Sequence, residues 1–93
     1  MIFEWDPGKA AGNLRKHKVS FHEAATVFGD KLSIAVLDPD HSQDEDRFLI
    51  VGRSDRNRLL IIAYTERQDR IRIISARELT PVERVDYEEG NFS

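Results

Sequence analysis

A chain of 93 residues, 40% hydrophobic and 33% charged, suits one modest core over residues 1–93 and is too apolar to be disordered. It has no cysteine, which excludes disulfides and thiolate metal sites, and no apolar run approaching the ~20 residues that cross a bilayer. The net charge of −3 argues against nonspecific nucleic-acid binding by the whole surface, and with no secretion signal at the N-terminus the expected location is cytoplasmic.

Residues 2–5, Ile-Phe-Glu-Trp, predict a short strand, after which Asp6 caps a helix that carries Pro7 at its first position. Ala10, Leu14 and His17 fall on one side of that helix, with Lys9, Asn13 and Lys16 on another. The first set predicts the packed side and makes His17 a histidine at the core edge rather than a catalytic one, while the second predicts a solvated polar face, slightly ahead of a substrate-binding one. Ser20 and Glu23 have capping-box spacing, and Phe21, Ala24, Ala25 and Phe28 recur as the apolar stripe of a second helix that Gly29-Asp30 ends. Residues 32–37 predict a strand. The polar stretch after it, with Asp38, Asp40, His41, Asp44, Glu45 and Asp46, lacks the glycine and alternation of a calcium loop and predicts a solvated hairpin loop.

Three strands follow, over residues 47–53, 58–65 and 70–77, separated by connections of hairpin length. They predict an antiparallel meander, with residues 59–64, apolar on both faces, at its centre. The last strand alternates arginine with isoleucine. A regular alternation puts Arg72, Ile74 and Ala76 on one face and Ile71, Ile73, Ser75 and Arg77 on the other, so both faces are covered and Arg72 and Arg77 part company unless the strand bulges. Thr80 and Glu83 repeat the capping-box spacing, Pro81 opens a final helix, and Gly90 stops it. Val82 and Val85 share one face of that helix and predict its packing side, with Tyr87 turned nearly opposite.

Charge is uneven. Residues 47–77 hold eight arginines against three acids, and every base after Lys31 is arginine, the side chain that grips phosphate or carboxylate with two hydrogen bonds. This stretch is either solvated charge on strand edges and turns or a local basic surface inside an acidic protein.

The pieces Phe3-Glu4-Trp5-Asp6, Lys16-His17-Lys18-Val19-Ser20-Phe21, Glu45-Asp46-Arg47 and Arg72-Ile73-Ile74-Ser75-Ala76-Arg77, with Glu83-Arg84 and Tyr87-Glu88, together resemble the BrnT family of bacterial toxins. The resemblance runs from Ile2 to Gly90 and implies an α+β, RelE-like fold: two N-terminal helices packed on an antiparallel sheet, with a short C-terminal helix. It further implies a ribonuclease of a type II toxin–antitoxin system that blocks translation. Its partners would be RNA and a cognate antitoxin in a hetero-oligomer, with operator DNA reached through the antitoxin alone and no membrane. Lys18 departs from the pattern, which has glycine after the histidine to ease a left-handed helix end.

Metal-free RNA cleavage needs a base for the 2′-hydroxyl proton, an acid for the leaving oxygen and positive charge on the phosphorane. On that chemistry Glu45 is the candidate base, Arg47, Arg72 and Arg77 the candidate phosphate stabilisers, and Tyr87 a candidate for base stacking or proton transfer. Lys16, Arg53 and Arg67 are candidate RNA contacts, and no metal or other cofactor is expected. A histidine pair would require His17 or His41 to fold across to the arginines. For each residue the competing reading is a structural ion pair or a solvated charge, and for the whole chain a non-catalytic module whose arginine-rich sheet holds RNA or an acidic protein.

Overall fold

A computed structural model describes residues 1–38, 40 and 45–91. His41 and Asp44 of the acidic loop lie outside the described residues. The elements are β1 (Ile2–Glu4), α1 (Pro7–His17), α2 (Phe21–Thr26) continued by a 3-10 turn (Val27–Gly29), β2 (Ile34–Leu37), β3 (Arg47–Arg53), β4 (Leu59–Arg67), β5 (Arg70–Glu78) and α3 (Pro81–Glu88). One sheet holds all five strands in the order β1-β5-β4-β3-β2. The meander β2 to β5 is antiparallel as expected, but β1 joins β5 in parallel, so the sheet is mixed. None of the helices is long and apolar enough to cross a membrane among the described residues.

The core lies between the sheet and the first two helices. Val19, Phe21, Ala24 and Val27 pack against Ile50, Leu60, Ile62, Tyr64, Ile73 and Ala76, and Phe3, Trp5 and Phe28 close its border. Phe28 meets Phe3 and Tyr64 edge-on, with ring centroids 5.2 and 5.0 Å away, the arrangement that aromatic quadrupoles favour. Tightening into a 3-10 turn brings this region hard against β3. A Cβ on Gly52 would stand 2.9 Å from Ser33 Cβ and 3.0 Å from both Val27 Cγ1 and Asp30 Oδ2. Only glycine admits that approach, and Asp30 completes it by accepting from the Arg53 and Leu32 amides at 2.8 and 3.0 Å.

Helix caps follow the sequence closely. Asp6 accepts from the Lys9 amide at 2.9 Å, Ser20 from the Glu23 amide at 3.0 Å, and Thr80 and Glu83 form a reciprocal capping box. The sides of α1 differ from expectation. Leu14 is exposed and Asn13 is buried, because β1 covers only residues 70–72 of β5 and leaves the strand's edge open beyond them. Asn13 closes that edge: its amide donates to Ala76 O at 2.8 Å and Val19 O at 2.9 Å, and its oxygen accepts from Ala76 N at 3.1 Å. A carboxamide carries both donor and acceptor and so imitates a neighbouring strand. On α3 the packing side is also reversed: Val82 and Val85 are exposed, and Tyr87 is the half-buried residue, its hydroxyl donating to Leu32 O at 2.9 Å.

Candidate active site on the open face of the sheet

The pairing of β4 with β5 runs Ile61 with Arg77, Ala63 with Ser75, Tyr64 with Ile73 and Thr65 with Arg72, so Ile74 is an extra residue in β5. This bulge inverts the alternation between Ile73 and Ser75. Arg72 and Arg77, which regular alternation separates, thus stand on one face, the one turned away from α1 and α2. Three rows cross that face: Arg47, Thr65, Arg72 and Glu4; then Leu49, Ala63 and Ser75; then Val51, Ile61 and Arg77.

Most of these arginines are held by carboxylates. Arg72 Nη1 donates to Glu4 Oε2 at 2.8 Å, Arg67 grips both oxygens of Glu45 at 2.9 and 3.1 Å, and Arg77 grips both of Glu83 at 2.7 and 2.9 Å. The Arg77 hydrogen bonds pull the Glu83 carboxyl down to about 2. Those from Arg67 lower Glu45 in the same way, which weakens that carboxylate as a proton acceptor at neutral pH. Thr65, 5% exposed between Arg47 and Arg72, has a buried hydroxyl oxygen with no hydrogen-bond partner among the described residues.

The candidate residues do not gather at one point. Arg67, which holds Glu45, stands six residues along β4 from Ile61, the partner of Arg77: roughly 20 Å at the rise of a strand. Glu45, Arg47, Arg67 and Arg72 therefore occupy the end of the face near the β4–β5 turn, and Arg77 a position further along. Tyr87 lies further still, where burial, and secondarily the Asp30 charge, raise its pKa and Arg53 opposes them. Arg53 donates to Asn57 O at 3.2 Å, and Lys16 is exposed on α1.

Between the two arginine positions the face opens into a cleft of about 260 Å³ lined by Leu49, Ile61, Ala63, Ser75, Arg77 and, from α1, His17. His17 is one turn beyond Asn13 on the same side of the helix, so the amide that closes the β5 edge also carries the imidazole past that edge. The helix ends immediately after it, with Lys18 in the left-handed region at φ 61° and its amide bonded to Leu14 O at 3.0 Å. Arg58 then donates to Lys18 O at 3.0 Å and to both oxygens of the buried Glu23, which also accepts from Ser54 at 2.7 Å. His17 is half-buried at the border of the sheet, as a core-edge histidine would be, and it also faces the cleft. Its spacing from Asn13 was the signal in the sequence, but nothing there marked Asn13 as buried.

Among solved structures, the chain resembles the 1.1 Å crystal structure of the Brucella abortus ribonuclease toxin BrnT. The TM-score is 0.63 at 17% identity, covering 86% of this chain and 99% of that one. At that identity the likeness speaks for the fold. No curated protein matches the sequence closely enough to add a relative. The family described as the ribonuclease toxin BrnT of type II toxin–antitoxin systems matches residues 5–83. With that match across most of its length and the same fold, the chain belongs to the BrnT family of ribonuclease toxins.

Proposed function

We propose that this chain is a RelE-like endoribonuclease that cleaves RNA without a metal, halts translation in the cytoplasm, and is neutralised by a cognate antitoxin. The observation that carries this reading is the bulge at Ile74, which places Arg72 and Arg77 on one face with Arg47 and a cleft between them. A single-stranded phosphate chain laid along that face passes Arg77 in the cleft and Arg72 further along the strand, roughly 13 Å apart by strand rise. A phosphate oxygen accepts the same bidentate donors as the carboxylates already on these arginines, so a bound RNA would take their place on the guanidinium groups. Operator DNA would be reached only through the antitoxin, as the net charge of −3 offers little to a duplex.

The extent of that pairing favours a second reading, in which the arginines hold the sheet together and the protein binds RNA or an acidic partner without cutting it. Cleavage assays separate the two. Purified protein should cut RNA in the presence of a chelator, and Arg72→Ala or Arg77→Ala should lower the rate by at least ~10²-fold, the scale of losing a charge stabiliser. Arg56→Ala, in the β3–β4 turn, should leave it unchanged. Equal cleavage by all three folded variants would reject the arginine assignment, a strict need for magnesium would reject the metal-free chemistry, and RNA binding without cleavage would establish the second reading.

A further inference from the structure

The proton-transfer group of the proposed reaction is better sought in the cleft than in the acidic loop, and the geometry points to His17 as the base that takes the proton from the attacking 2′-hydroxyl. This rests on the ribonuclease reading above. Among the described residues, two titratable side chains line the cleft, His17 from α1 and Arg77 from β5, while β3 and β4 contribute the apolar Leu49, Ile61 and Ala63. Arginine stays protonated and cannot serve as a base. Imidazole is the side chain that ordinarily exchanges a proton near neutral pH, and in its neutral form one ring nitrogen accepts while the other donates.

The placement is also held from both sides. Asn13 ties the preceding turn of α1 to the β5 edge, and Arg58 ties the following residue to the buried Glu23. The backbone that carries His17 is thus anchored before and after it, and a base must hold its distance to the proton it removes. The charged groups around it include Arg77 across the cleft, itself paired with Glu83 of α3, its chain neighbours Lys16 and Lys18, and Arg58, which reaches Lys18 O and is paired with Glu23 and Glu78.

With a phosphate on Arg77, the neutral imidazole takes the 2′-hydroxyl proton as the 2′-oxygen bonds to phosphorus. The bond from phosphorus to the 5′-oxygen breaks, and that oxygen leaves with a proton from water. The imidazolium returns its own proton to the resulting hydroxide, so the products are a 2′,3′-cyclic phosphate and a 5′-hydroxyl with no net consumption of water.

The test is chemical rescue. His17→Ala should cut RNA at least ~10²-fold more slowly, bind an uncleavable 2′-deoxy oligonucleotide within about twofold of the unsubstituted protein, as a base absent from ground-state contacts predicts, and recover activity when free imidazole is added. The 5′-hydroxyl and cyclic-phosphate ends should appear in the rescued reaction. If His17→Ala does not fold, His17→Gln must show the same loss at an unchanged melting temperature. Full activity in a folded variant overturns the proposal, as does a loss that imidazole fails to repair, since that marks a positioning role. If the unsubstituted protein cuts no RNA, the ribonuclease reading falls with it.

Discussion

Two side chains decide how α1 meets the sheet, and each makes a measurable prediction. Asn13 satisfies three backbone groups at the β5 edge and the α1–α2 elbow. Asn13→Ala leaves them without partners in a place water reaches poorly, which costs about 3 kcal/mol. In a chain of this size the melting temperature should fall by roughly 15 °C. Lys18 acts in the opposite direction. It holds the left-handed conformation that glycine adopts freely, and a side chain there costs about 1 kcal/mol. Lys18→Gly should raise the unfolding midpoint by the equivalent of about that amount in a denaturant titration. The backbone bonds from Lys18 N–H to Leu14 O and from Arg58 to Lys18 O survive the change.

α3 is held to the rest of the molecule by polar contacts at its two ends, Glu83 on Arg77 and Tyr87 on Leu32 O, with its valines left in solvent. The Arg77 guanidinium holds the Glu83 carboxyl down to about 2 in the folded protein, well below the ordinary carboxylate range it returns to when unfolded. Its folded value is the lower one, so the stability it contributes is complete above the unfolded value and disappears as pH falls through about 2. Glu83→Gln keeps the capping box, which accepts glutamine, and removes the charge. The melting-temperature gap between the unsubstituted protein and Glu83→Gln should be widest above about pH 5, narrow steadily below it, and close only as pH falls below about 2; a gap that does not narrow between about pH 5 and about pH 2 would assign the effect to packing. The elements themselves were legible because caps, turns and alternation are local: Asp6, Ser20, Thr80 and the two hairpins all stand where the sequence put them. What could not be read was non-local. The short reach of β1 along β5 buries Asn13 and exposes Leu14, docking by one tyrosine hydroxyl turns α3 over, and no local pattern announces that Ile74 is supernumerary.

For the molecule as a whole, the distribution of charge sets what can cover the open face. A type II family member has an antitoxin, and the excess of arginine over residues 47–77 gives that partner something for carboxylates to meet. If the antitoxin covers the face proposed for RNA, a bound antitoxin should exclude an uncleavable RNA, and added salt should slow their association more than it speeds dissociation. Simultaneous binding would place the antitoxin elsewhere. The bulge has one more consequence, which concerns how such a surface persists through mutation. Ile73 and Ala76 are both about 1% exposed in the same core, three positions apart, a spacing that no regular strand can bury on one side. The core therefore requires the extra residue between them, and the side to which Arg70 and Arg72 point is settled by the same requirement. A deletion in β5 that straightened the strand would turn those arginines towards the helices and unfold the protein before it could merely disarm it. Loss of the cationic face without loss of the fold is left to point substitution, one arginine at a time.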